Sequence, residues 1–270
     1  MGGRGEAMPL TEYQAELARL LSGNRSPDSF LAGGGAVLLE PNTTRYSRDL
    51  DYFHDSEQRV AEAFAADREL MEEQGYSVDV EMRQPGFVRA IVNRGGHATK
   101  VEWAHDSSWR FMPAVRDERV GYLLHPIDLA VNKVLALAGR DEPRDVLDTV
   151  QFHRDLLPLG VLCWAACGKD PGFSPLSLLE LLRRRGRVRA EDLERLDLAV
   201  EIDLHALKRE WLEALDSVGP FAASRPPDEI GCLYFSSSLQ RFVDPRSVDD
   251  AVPHHGRPGG VLPRVVDTGE

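Results

Sequence analysis

Arg45–Tyr46–Ser47–Arg48–Asp49–Leu50–Asp51–Tyr52–Phe53 is the stretch on which the fold turns. In it Leu50 and Tyr52 alternate with Asp49 and Asp51, the period of two that a half-buried strand imposes. Both carboxylates then share one face, about 6–7 Å apart along the chain. Acids that close repel each other unless a cation lies between them. Magnesium prefers oxygen ligands and commonly takes one or two carboxylates together with substrate phosphates. An isolated D-x-D is a weak signal, because surfaces are rich in acids, but the neighbours strengthen this one. Leu50, Tyr52 and Phe53 anchor the strand in a core, and Ser47 lies on the face of Asp49, where its hydroxyl suits a phosphate or a metal-bound water.

Upstream, Gly33–Gly34–Gly35 follows Phe30–Leu31–Ala32 and precedes the apolar run Ala36–Leu39, which Pro41–Asn42 ends. Glycines let backbone N–H groups approach phosphate oxygens; a tight turn accounts for the run equally well. Downstream, residues 57–74 read as an amphipathic helix with Val60, Phe64, Leu70 and Met71 inward. Residues 77–83, 87–93 and 98–105 read as strands, the last two joined by a Gly95–Gly96 hairpin. In the last of these Val101 and Trp103 point away from Glu102, which is either a third acid facing the site or an exposed strand residue.

Pro126–Ile127–Asp128 opens a helix that runs to about Gly139. Lys133 and Arg140, seven apart, fall on one face and suit either a triphosphate or solvent. Residues 142–153 form the next helix, with Pro143 in its first turn. Its Asp145 and Asp148 can pair with Lys133 or Arg140. Beyond, residues 176–185 and 190–214 read as helices, and 244–270, rich in Pro, Gly and charge, as a flexible tail. The expected layout is α+β. An N-terminal helix and frayed start (1–27) precede a mixed sheet flanked by helices (28–155), then a helical C-terminal domain (156–243) and the tail (244–270).

With 270 residues, 42% of them hydrophobic, the chain can bury a substantial core. Its formal net charge of −12 excludes a uniformly basic nucleic-acid-binding surface. A local cluster persists at Arg183–Arg184–Arg185, Arg187 and Arg189, which fits either RNA phosphates or a helix end favoured by its dipole. The three cysteines, Cys163, Cys167 and Cys232, form no C-x-x-C pair, and the first two read as buried helix residues. No apolar run approaches the roughly 20 residues that span a bilayer, and the first ten residues lack a signal-peptide core. The expectation is a cytoplasmic protein with no membrane contact.

These residues resemble, in order, the motifs of the AbiEii/AbiGii group of nucleotidyltransferase toxins. Gly33–Gly34–Gly35–Ala36 followed by Asp49–Leu50–Asp51 is similar to the family's Gly-rich element and D-x-D. Asp128–Leu129–Ala130–Val131–Asn132–Lys133 with Ala136–Leu137–Ala138–Gly139–Arg140, and then Arg144–Asp145–Val146–Leu147–Asp148, resemble its second and third motifs. The resemblance covers about residues 28–153. Gly35 stands where the family usually carries a small polar residue, and Glu102 where related transferases generally carry Asp. The resemblance implies that Asp49 and Asp51 hold Mg2+ or Mn2+, with Glu102 as a third carboxylate for a second ion. Gly33, Gly34, Ser47, Lys133 and Arg140 would meet a nucleoside triphosphate, and Asp145 would complete the site. It further implies a toxin or phage-defence component with a cognate antitoxin, acting on an acceptor hydroxyl such as that of tRNA or a protein. Two other readings stand beside it: a nucleotide-binding module with a weakened site, and a D-x-D glycosyltransferase.

Overall fold

The computed structural model describes residues 10–37 and 44–264. The expectations for the frayed start, for Leu38–Asn42 and for 265–270 fall outside these residues. The chain divides into two compact units. The first runs to Ser108 and takes in Pro113–Leu129 and Asp197–Val200; the second comprises Trp109–Met112, Ala130–Leu196 and the chain from Glu201 onward.

In the first unit, α1 (Glu12–Leu21) starts at a capping box: the Thr11 side chain accepts from Gln14 N, and the Gln14 side chain accepts from Thr11 N. Then follow β1 (Ser29–Ala32), α2 (Gly33–Val37), β2 (Asp49–His54), α3 (Glu57–Glu73), β3 (Ser77–Gln84), β4 (Phe87–Arg94) and β5 (His97–His105). After β6 (Trp109–Arg110), which belongs to the second unit, come β7 (Val115–Asp117) and β8 (Gly121–Leu123). Among the described residues one sheet has seven strands in the order β3-β4-β5-β2-β1-β8-β7. The Gly95–Gly96 turn has positive φ at both glycines, 59° and 83°, and closes β4 onto β5 with Arg94 opposite His97. Strand β2 runs antiparallel to β1 and parallel to β5.

The alternation expected of Asp49–Phe53 is present. Leu50, Tyr52, Val101, Trp103, Ala90 and Val92 are all fully buried. That face packs under α3, where Phe64 meets the Trp103 ring edge-on at 5.1 Å. The same interior holds a charged node. Asp67 on α3 is ion-paired to Arg25, and neither side chain is exposed. Asp67 also accepts from Trp103 Nε1 at 2.7 Å and from Asn24 at 2.9 Å, while the Arg25 guanidinium lies 4.4 Å from the Tyr52 ring centre.

The second unit contains most of α4 (Pro126–Gly139), then α5 (Pro143–Asp155), α6 (Leu159–Lys169), α7 (Pro175–Arg185), α8 (Ala190–Glu194) and α9 (Leu204–Ala223). Helix α6 is apolar on every side and buried from Leu159 through Cys167, including both of its cysteines. At Gly160 an added Cβ would lie 2.8 Å from Phe221 of α9, so the glycine permits that close crossing. No helix among the described residues is long and apolar enough to cross a membrane.

Two sequence expectations are corrected. Residues 190–214 are not one helix: α8 stops at Glu194, and α9 starts at Leu204, capped by Asp203, whose side chain accepts from His205 N and Ala206 N. Between them Leu198 forms a bridge with Arg45, a tertiary pairing that local periodicity cannot reveal. The C-terminal region is helical as expected, but the chain after its last helix also forms strands. Strands β9 (Cys232–Ser236), β10 (Arg241–Phe242), β11 (Ala251–His255) and β12 (Arg257–Pro258) follow α9. Strand β11 pairs with β9 through five residues, and β12 pairs with β6. Pro253 and Pro258 suggested a coil, yet proline is tolerated on edge strands.

The Asp67 node yields a stability prediction. Asp67→Ala strands the Arg25 charge and the Trp103 donor, and should cost about 3–5 kcal/mol. Glu72→Ala, at the exposed Arg68–Glu72 pair, should cost under about 0.5 kcal/mol. Urea denaturation midpoints of the two variants provide the check.

Candidate active site

The polar face of the central strands carries the D-x-D. Register puts Asp51 opposite Ala32 on β1 and opposite Glu102 on β5. Gly33, the next residue after Ala32, turns the chain with φ +59° directly against the Asp51 carboxylate. A Cβ at Gly33 would lie 1.9 Å from Asp51 Oδ2, so only glycine leaves room for the carboxylate there. At Gly34 a Cβ would lie 3.1 Å from the Arg45 guanidinium and 3.2 Å from Ser47 Oγ. At Gly35 the nearest atoms are at 3.6 Å, ordinary contact. Ser47 Oγ donates to the Asp49 carbonyl at 2.9 Å and reaches Asp49 Oδ1 at 3.3 Å. The chain before it is pinned by Tyr46 N to Asp197 O at 2.7 Å and Ala199 N to Thr44 O at 3.0 Å.

Two cations on this face went unremarked in the sequence. Lys100 stands opposite Asp49 across the parallel pair, and its Nζ lies 3.0 Å from Asp49 Oδ2 and 3.2 Å from Glu102 Oε1. Arg89 stands opposite Glu102 on β4, with Nε 2.8 Å from the same Oε1. Burial works against the Lys100 charge, but the hydrogen bond and charge of Asp49, followed by Glu102, outweigh it and raise the lysine above its ordinary pKa. A signal was available: Lys100 is two residues before Glu102, hence on its face. Buried Arg45, beside Gly34, was likewise outside the candidate set.

Asp49 and Asp51 offer hard oxygen donors on one face, and glycine at position 33 leaves room for the Asp51 carboxylate. That arrangement fits a divalent ion. Glu102 is on the same face but bound by two cations, and among the described residues no three His, Cys, Asp or Glu side chains group as ligands of one ion.

In the second unit, Lys133 Nζ lies 3.2 Å from Asp145 Oδ1 and 2.7 Å from Asp148 Oδ2. Arg140 grips Asp145 with both arms, Nε at 2.7 Å and a terminal nitrogen at 3.1 Å. Both aspartate side chains are fully buried, whereas that of Arg140 is 48% exposed. Pro143 in the first turn of α5 sets Asp145 near a helix start, which favours an acid. Burial pushes the Asp145 pKa up, but the Arg140 hydrogen bond and the Lys133 and Arg140 charges prevail and hold it below the ordinary carboxylate value. The candidates thus fall into two groups: Gly33, Gly34, Ser47, Asp49, Asp51 and Glu102 in the first unit, and Lys133, Arg140 and Asp145 in the second.

Among solved structures, the chain is similar to MenT4, a nucleotidyltransferase toxin from Mycobacterium tuberculosis H37Rv. The TM-score is 0.54 at 15% identity, over 80% of this chain and 83% of that one. The fold is that of a nucleotidyltransferase. The nucleotidyltransferase fold is also the one expected from the sequence, an α+β core followed by a helical C-terminal region. JHP933 from Helicobacter pylori aligns at 17% identity over 79% of this chain and 95% of its own, with a TM-score of 0.46, too distant to carry an argument. No family model and no curated protein matches the chain.

Two predictions follow from the geometry. Gly33→Ala should cost about 1–3 kcal/mol in backbone strain and displace the Asp51 carboxylate. Gly35→Ala should leave stability unchanged or raised by up to about 1 kcal/mol. Urea midpoints and Mn2+ affinity separate the two. Asp145, with its depressed folded pKa, contributes stability that is fully present above its ordinary value of 3.8 and is lost as pH falls through the folded value. Thermal melts between pH 7 and pH 2 should show a shallower acid limb for Asp145→Asn than for the wild type.

Proposed function

We propose that the protein is a metal-dependent nucleotidyltransferase that moves a nucleoside monophosphate from a nucleoside triphosphate to an acceptor hydroxyl. The observation that carries this reading is the Asp49–Asp51 face, with Asp51 set against a turn that only glycine allows. The nucleotidyltransferase fold supports it and favours nucleotidyl over glycosyl transfer. Asp49 and Asp51 would hold Mg2+ or Mn2+, which when bound neutralises polyphosphate charge and polarises the phosphoryl oxygens.

The chain's own residues do the rest. Ser47 fixes the Asp49 carboxylate by its hydrogen bond, and buried Arg45 offers positive charge beside Gly34. The acceptor oxygen attacks the α-phosphorus in line, its proton passing to solvent or a neighbouring base, as the bond to the pyrophosphate oxygen breaks. Positioning and charge complementarity supply most of the rate in such a transfer. Through the ordered motifs, Lys133 enters as the nucleotide-contacting lysine, Arg140 as its companion cation and Asp145 as the acid that holds both.

The acceptor proposed is RNA, with tRNA the first to test. Arg184 and Arg187 are exposed on the second unit and suit phosphates. MenT4 is named a toxin; by likeness, a toxin role with a cognate antitoxin is proposed here. One observation favours the second reading, a nucleotide-binding module with a weakened site: Lys100 and Arg89 already satisfy Glu102.

The test uses each α-labelled nucleoside triphosphate in turn with Mg2+ or Mn2+ and total tRNA. Label should pass to RNA with pyrophosphate released, and Asp49→Ala or Asp51→Ala should lower the rate by about 10²–10³ or more. Labelling that Asp49→Ala leaves intact overturns the transferase reading. Nucleotide binding without pyrophosphate release favours the binding module.

A further inference from the structure

We propose that the Lys100 ammonium stands in for the second divalent ion of the site, so that Asp49 and Asp51 hold a single metal. The inference rests on the nucleotidyl-transfer reading and deepens it. Its ground is the β2–β5 register, which sets Lys100 opposite Asp49 and Glu102 opposite Asp51. From there Nζ reaches Asp49 Oδ2 at 3.0 Å and Glu102 Oε1 at 3.2 Å. A cation touching both carboxylates holds the bridging position that a second metal shared by Asp49 and Glu102 requires.

The placement is built into the sheet. Lys100 lies on an interior strand, with Ile91 of β4 as its neighbour on one side and Asp49 of β2 on the other. Arg89 completes the arrangement, donating to the same Glu102 oxygen at 2.8 Å. Lys100 thus brings positive charge to Asp49 and Glu102, and Arg89 brings it to Glu102. A second divalent ion must displace an ammonium from both acids or sit beside it against like-charge repulsion. A lysine in this role contributes one charge where a metal contributes two, at a position that does not depend on metal supply. It acts through the carboxylates and is a positioning residue.

The experiment counts Mn2+ on the full chain with saturating α,β-methylene nucleoside triphosphates, each base in turn. Equilibrium dialysis gives the stoichiometry, and electron paramagnetic resonance reports coupling between ions about 3.5–4 Å apart. The wild type should hold one Mn2+ per bound nucleotide, with the spectrum of an isolated ion. Lys100→Met, which keeps length and removes charge, should hold two and show the coupled signal. Lys100→Arg should return to one, and far-UV circular dichroism with thermal melting verifies that both variants fold. Two coupled ions in the wild type, or a single ion in Lys100→Met, overturns the inference and leaves the transferase reading standing. A wild type that binds neither Mn2+ nor any of the nucleotides overturns both.

Discussion

Like charge crowded onto one face of a sheet is the constraint around which the first unit is arranged. Asp49, Asp51 and Glu102 occupy neighbouring positions on β2 and β5, where their repulsion favours any shift that separates them. The opposite face forbids the shift. A slip of one residue would turn Leu50, Tyr52, Val101 and Trp103 outward and lose the buried packing under α3. Apolar packing thus fixes the register, and the register fixes which cation meets which acid. Lys100 and Arg89 relieve the crowding where it is greatest, and the Gly33 turn leaves Asp51 the space that any larger residue would take.

Buried charge elsewhere is handled differently. Asp67 is closed off from water and satisfied by Arg25, Asn24 and Trp103, so it knits α3 to the sheet and to the segment after α1. Lys133 in the second unit is gripped by two buried acids and leaves little of itself exposed. Such pairs give little net stability when formed, yet removing one partner is costly, which makes them fasteners of geometry. The Asp49 face is only partly enclosed: Lys100 keeps 32% of its side chain in solvent and can exchange partners.

Much of this was legible in the sequence because it follows from period and spacing. Alternation at Asp49–Phe53 placed both acids on one face, and alternation at Val101–Trp103 turned Glu102 away from the core, while its register opposite Asp51 came only with the parallel pairing. Spacing of three along α5 brought Asp145 and Asp148 to the same lysine. What was missed depends on partners distant in sequence. Lys100 was not among the candidates, because only the parallel pairing sets it against Asp49. Residues 251–258 looked like coil because prolines and charges dominate locally, while their pairing partners lie on β9 and β6. Residues 195–203 carry helix-compatible composition, but their bridge to Arg45 interrupts it.

That bridge has a bearing on how the protein comes into being. Thr44 and Tyr46 bond to Ala199 and Asp197, and Arg48 pairs with Asp197 at 2.7 Å. The stretch leading into the D-x-D is therefore tied to residues that the ribosome adds long after the sheet is complete. During synthesis the nascent chain presents its carboxylate strand without that tie until the segment after α8 emerges. A fragment ending at residue 155 would lack it permanently, so the first unit, although its strands are nearly contiguous in sequence, matures only when most of the polypeptide has been made.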